Sequence, residues 1–272
     1  DLMPNYKFYV IDVDNITYEK KYDVVTTLHT KDKERYSKFL NYNKKFLPNA
    51  NKFFYIAYKD FKNKSNFLSE KKYPFQKEDI INYIKDYIPD YRWGWYYQQL
   101  LKLYVFRVNN FNHNYVLIFD SDILLLKNLF LFEDNMPKLF QRLTGDKLIH
   151  KPYLECMKML LPNLEYDEND SGICHMMLFN KEILENMLNK IEKLHNKEAW
   201  KVCLDKVIEY IKKFEYNESI LSEYELYYNY IKNKNIYKID KSMEYIDYPL
   251  NKFDITNPEN LIFIADHHYQ SR

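Results

Sequence analysis

Residues 115–128, YVLIFDSDILLLKN, set two carboxylates, Asp120 and Asp122, between two apolar runs. The segment before them reads as a strand buried on both faces, and Ile123 to Leu126 resume the apolar pattern at once. An unpaired carboxylate in such a setting costs roughly several kcal/mol or takes up a proton. In an open α/β sheet, ligands collect at the carboxyl ends of the strands. A D-x-D pair placed there turns two hard oxygen donors to one side, a set suited to Mg²⁺ or Mn²⁺. Capping of a turn, or pairing with an Arg or Lys, is the structural alternative for these acids.

Working outward, YDVVTTLHT (residues 22–30) is a β-branched strand, and the following segment spaces Tyr36, Phe39, Leu40, Phe46 and Leu47 as a helix ended by Pro48. KFFYIAY (residues 52–58) is a second strand, which completes a β-α-β unit. Helical patterns follow from Gln76 through Ile80, Ile81 and Ile84 to Pro89, and in RWGWYYQQLLKLYVF, where Tyr97, Leu100, Leu101 and Tyr104 share a face. Beyond the D-x-D the pattern predicts a helix over residues 137–161 broken near Gly145, then a polar loop and the strand ICHMMLF. Two further helices precede SEYELYYNYIKN, in which Ser222 and Glu225 have the S-x-x-E spacing of a capping box, and short strands IYKI and LIFIA lead to DHHYQSR. Strands alternating with helices predict an α/β sandwich with a mostly parallel central sheet. No repeat or linker divides the chain, so one domain over residues 1–272 is expected, with residues 1–21 as an N-terminal extension or edge segment.

Composition narrows the function classes. Hydrophobic residues make up 46%, enough for a substantial core, and net charge is +1 with 29% charged residues, so nucleic acid is not an expected partner. Only 3 glycines occur, against an average usage of about 7%. Neither a G-x-G-x-x-G fingerprint nor a P-loop is present. The three cysteines, Cys156, Cys174 and Cys203, are spaced neither as a disulfide framework nor as a zinc site, and read as buried thiols of a reducing, cytoplasmic environment. No apolar run approaches a membrane span or a signal peptide.

A second acidic pair, Asp12 and Asp14 in YVIDVDNIT, resembles the D-x-D-x-T start of haloacid-dehalogenase-type phosphatases. The threonine stands one place late, as Thr17, and a metal-dependent phosphohydrolase is the rival reading this pair carries. A non-catalytic glycan- or protein-binding module is the other. Gln99 and Lys102, one helical turn apart, share a face distinct from the apolar one and would serve a sugar or diphosphate, or form a solvated surface pair. Arg92, beside Trp93 and Trp95, would serve a phosphate. His175 reads as a core histidine.

The ordered set GWYYQQLLKLYVF, YVLIFDSDILLLKN, SGICHMMLFNKEIL, SEYELYYNYI and a late histidine pair resembles the GT-A-fold glycosyltransferases, in particular a group of bacterial and giant-virus members. The excess of Lys, Asn, Tyr and Ile fits an A/T-rich viral source, hence a host cytoplasm or virion. The resemblance implies a Rossmann-like α/β/α sandwich and transfer of a hexosyl or N-acetylhexosaminyl group from a nucleotide-diphospho-sugar, a UDP-sugar foremost, to a glycan or protein hydroxyl. It implies Mn²⁺ or Mg²⁺ held by Asp122, with Asp120 on ribose or metal and His267 or His268 completing the shell. The residues beyond the histidines, HHYQSR, depart from the family's glycine and lysine and offer Arg272 alone. Thr26, Thr27 and His29 match the nucleotide-binding edge. For an inverting reaction Glu223 is the first candidate to take the acceptor proton and Asp170 the second, Glu225 being assigned to capping.

Overall fold

The computed structural model describes residues 20–29, 32–59, 66–143, 150–243, 245–247 and 261–265. Asp12, Asp14, Thr17, His267, His268 and Arg272 lie outside the described residues. In chain order the elements are β1 (Tyr22–Thr27), α1 (Lys33–Asn43), β2 (Ala50–Ala57), β3 (Phe67–Ser69), α2 (Lys77–Ile84), α3 (Asp90–Leu103), α4 (Val105–Val108), β4 (Tyr115–Phe119), β5 (Ile123–Leu125), β6 (Phe132–Glu133), β7 (Met136–Phe140) and β8 (Arg142–Leu143). There follow α5 (Lys151–Leu160), β9 (Asp170–Ser171), β10 (Met176–Asn180), α6 (Lys181–His195), α7 (Ala199–Phe214), α8 (Glu223–Ile231), β11 (Lys238–Asp240), β12 (Tyr245–Asp247) and β13 (Phe263–Ala265).

The principal sheet has the order β10-β4-β1-β2-β3, parallel throughout except for the β10 edge. Strands covered on both faces should be apolar without alternation, and β1 is buried at all six positions. Side chains nevertheless divide by parity, as the pleat requires. Val116, Ile118, Met177 and Phe179 enter the helical core with α2, α3 and α5 to α8, whereas Leu117, Phe119, Met176 and Leu178 enter a second core with Ile123, Leu125 and Phe263. That second layer contains a small sheet of order β12-β13-β5, while Tyr36 of α1 packs in a separate small cluster with Leu28, Tyr55 and Ala57. Asn43 at the end of α1 joins that helix to the small sheet, donating to the Ile123 carbonyl at 2.7 Å and accepting from the Leu125 amide at 2.9 Å. A buried amide thus satisfies backbone groups of β5 and anchors the chain just after the D-x-D.

The region expected as a helix over residues 137–161 differs. Its first part is β7 and β8, and among the described residues of this range only α5 is helical. Asp134 and Asn135, both at positive φ (50° and 62°), make the two-residue hairpin that reverses β6 into β7. Pro137 fits because β7 begins at the margin of a small sheet, where a missing N–H is tolerated. The three cysteines are buried and unpaired. No helix among the described residues is long and apolar enough to cross a membrane.

Gly172 lies where β9 approaches α8. A Cβ built on it would stand 2.2 Å from the Tyr228 Cβ, a contact relieved only by backbone movement. Gly172→Ala is therefore expected to lower stability by about 1–3 kcal/mol, read by urea unfolding. An unchanged midpoint would show that this approach is not tight.

Candidate functional site

Sheet topology locates the site before any side chain does. From β1 the chain proceeds to β2 and β3 on one side, then returns to β4 on the other. The order reverses between β1 and β4, the place where open α/β sheets leave a crevice at their carboxyl edge. Val25 is paired with Ile118, so Thr27 and Asp120 stand level at the ends of adjacent parallel strands.

A cavity of about 540 Å³ opens along the β1 side of this edge, lined by Thr27 at the end of β1 and His29 beyond it, Tyr58 after β2, Glu70 after β3, and Trp95 and Gln98 of α3. Gln98 donates to the Thr27 hydroxyl at 2.5 Å, joining α3 to the strand end. Glu70 accepts from Tyr97 at 3.2 Å, and burial raises its carboxyl above the ordinary range. Thr26, one residue from Thr27 and therefore on the opposite face, bonds Tyr36 of α1 and does not line the cavity.

On the β4 side the next turn of α3 brings Lys102 under the strand end. Its ammonium donates to Asp120 Oδ1 at 2.6 Å, to Glu223 Oε1 at 2.8 Å and to the Tyr224 hydroxyl at 3.2 Å, with the side chain only 3% exposed. Tyr224 itself donates to Asp120 Oδ1 at 2.8 Å. His175 approaches the other oxygen, Nδ1 to Oδ2, at 3.4 Å, and its carbonyl accepts from the Asp120 amide at 3.1 Å. One buried cation thus serves two carboxylates.

The electrostatics follow from that count. Burial alone would raise Asp120, but the Lys102 ammonium and His175 overcome it and hold the carboxyl well below the usual range. Burial works against the Lys102 charge, yet Asp120 and Glu223 together keep it firmly protonated. Glu223 goes the other way: desolvation, together with the nearby Asp120 charge, leaves it raised despite Lys102. Tyr224 is raised by burial and by the charge of Asp120.

The N-terminus of α8 is positioned by the same face of α3. Gln99 Oε1 accepts from the Glu223 amide at 3.3 Å, and Ser222 Oγ accepts from the Glu225 amide at 3.2 Å, satisfying groups a helix start leaves open. Gln99 and Lys102 do share a face, and it is buried against α8 rather than solvated. The Glu225 carboxylate, expected to cap, turns instead to Ser171 Oγ (2.7 Å) and Asn229 Nδ2 (2.9 Å). Asp170 is held by Lys232 at 2.9 Å. Arg92 pairs with Glu218 at 2.7 Å and does not line the cavity.

Three contributors were not legible in the sequence in these roles: Tyr224, Gln98 and His175. The histidine, read as core, sits at φ 56° just before β10, and this left-handed turn brings its ring to Asp120 while it packs against Tyr245 and Phe263. Asp122 is half-buried at the mouth of the turn. Among the described residues no cluster of three His, Cys, Asp or Glu that could hold a metal is formed.

The chain belongs to the family of unknown function DUF6492, whose model matches residues 59–262. No curated protein matches it. Among solved structures it is similar to mouse xyloside xylosyltransferase 1 in its apo form, at 9% identity and TM-score 0.48, over 92% of this chain and 98% of that one. It is also similar to a glycosyltransferase involved in the glycosylation of the major capsid of PBCV-1, at 13% identity and TM-score 0.35, over 90% and 93% of the two chains.

Proposed function

We propose, for this member of a family without an assigned function, transfer of a sugar from a nucleotide-diphospho-sugar to a hydroxyl acceptor. The observation that carries the reading is the placement of the D-x-D pair at the β1/β4 reversal, level with Thr27, which itself lines a cavity of about 540 Å³. A volume of that order suits a nucleotide-sized ligand. The donor class is assigned as a UDP-sugar carrying a hexosyl or N-acetylhexosaminyl group, the acceptor as a glycan or protein hydroxyl, and the setting as the cytoplasm of an infected host or a virion.

The hard oxygens of Asp122 suit Mn²⁺ or Mg²⁺, whereas Asp120 is already engaged by Lys102 and Tyr224. A cation bound there supplies Lewis-acid neutralisation of the departing diphosphate. This chain's own residues do the rest. Thr27, His29 and Gln98 present polar groups to the nucleotide side of the cavity. Lys102 and Tyr224 fix Asp120, and Gln99 fixes the helix that brings Tyr224. Of the two acids considered for the acceptor proton, Glu223 has the raised proton affinity a base needs, but is 1% exposed and bonded to Lys102. Asp170, 16% exposed, is the more open.

The test is thermal unfolding of the wild type and of Asp122→Asn with UDP, GDP or dTDP, each with and without Mn²⁺. A ligand that binds only the folded state stabilises it by RT ln(1 + [L]/Kd), about 2.7 kcal/mol at a hundredfold excess over Kd. The expected result is a rise with UDP that needs both Mn²⁺ and Asp122. No rise with any nucleotide would leave a binding module as the better reading.

A further inference from the structure

The pairing of Lys102 with the first aspartate bears on how a divalent cation enters, an inference that rests on the reading above. Oδ1 of Asp120 already accepts from Lys102 at 2.6 Å and from Tyr224 at 2.8 Å, which uses both of its lone pairs, and Oδ2 faces His175 Nδ1 at 3.4 Å. The ammonium has little freedom to withdraw. It is 3% exposed, anchored also by Glu223 at 2.8 Å, and seated 4.6 Å from the centre of the Tyr224 ring. Glu223 is fixed in turn through its amide to Gln99.

We propose that Lys102 is a built-in counter-cation that keeps Asp120 out of the inner coordination shell of a divalent ion, so that the ion is retained only together with a diphosphate. Two consequences follow from charge and distance. A dication placed against Asp120 would stand within a few ångströms of a fixed positive charge, and like charges at that separation repel strongly in a low-dielectric setting. Inner-sphere binding then falls to Asp122, and one carboxylate is a poor site until phosphate oxygens join it. Lys102 acts through Asp120 and is a positioning residue, making cation and nucleotide interdependent by reciprocal linkage.

Mn²⁺ binding to the full chain, followed by the electron paramagnetic resonance signal of free Mn²⁺, tests this without any turnover. The wild type should bind Mn²⁺ weakly alone and markedly more tightly with UDP. Lys102→Met should bind Mn²⁺ without nucleotide roughly tenfold or more tighter than wild type, because the repelling charge is gone while Asp120 is kept. Since Lys102→Met leaves two buried acids facing one another, Lys102→Met/Glu223→Gln is measured beside it, and the same gain is expected. Glu223→Gln alone retains the lysine and should not gain. Equal or weaker Mn²⁺ affinity in both lysine variants overturns the proposal. Should UDP fail to promote Mn²⁺ binding to the wild type while the lysine variants gain affinity, the nucleotide reading falls and the counter-cation assignment stands.

Discussion

Lys102→Met is expected to lower stability at pH 7 by about 3–5 kcal/mol, the loss found when one partner of a buried ion pair is removed. The cost comes less from the lost attraction than from what remains. Asp120 and Glu223, 18% and 1% exposed, are left with no ammonium between them. Desolvation, now unopposed by Lys102, pushes both carboxyls up. The deficit should therefore shrink as pH falls, since protonation removes the uncompensated charge. Lys102→Met/Glu223→Gln should recover part of the loss at neutral pH for the same reason. Urea unfolding at pH 7 and pH 5 checks all three statements. A loss below about 1 kcal/mol at pH 7 would mean that this triad does not hold α3 to α8.

Glu225→Gln is expected to stabilise the protein at pH 8 by about 3 kcal/mol and to change little at pH 5. Burial is the largest influence on Glu225, and hydrogen bonds from Ser171 and Asn229 only partly oppose it, so its pKa is pushed up to about 7 from 4.5. Asp170, close by, raises it further. The direction of the pH effect follows. Between pH 4.5 and 7 the folded state keeps a proton that the unfolded chain has released, so stability falls as pH rises through that window. Above it the cost is constant, at about 1.4 kcal/mol for each pH unit of the gap. The neutral amide removes that cost while keeping an oxygen to accept a hydrogen bond. Denaturant midpoints of both proteins across pH 5 to 8 give the answer, and parallel curves would show that Glu225 is ionised throughout.

Sequence alone was sufficient for much of the scaffold. Helices α6 and α7 were evident because their apolar residues recur at helical spacing, and β1, β2 and β4 because continuous apolar runs have no other place than a covered sheet. The D-x-D was legible because acids interrupting such a run demand a partner, and Gln99 and Lys102 because one helical turn separates them. Where the sequence reading differed, at residues 137–161, the Asp134-Asn135 turn was the overlooked signal.

The partners themselves were decided only by tertiary structure. Lys102 meets Glu223 and Tyr224 more than a hundred residues away, and Thr27 meets Gln98, because the strand order places α3 beneath the β1/β4 reversal and against the start of α8. Periodicity records which side of an element is buried, never what lies across from it. His175 shows the limit most clearly. Its neighbours in sequence are apolar and belong to a strand, yet at positive φ its ring reaches the carboxylate of Asp120 while still packing against Tyr245 and the buried Phe263. Local pattern determined the elements of this protein, while the order in which the sheet assembles them determined which charges share one buried site.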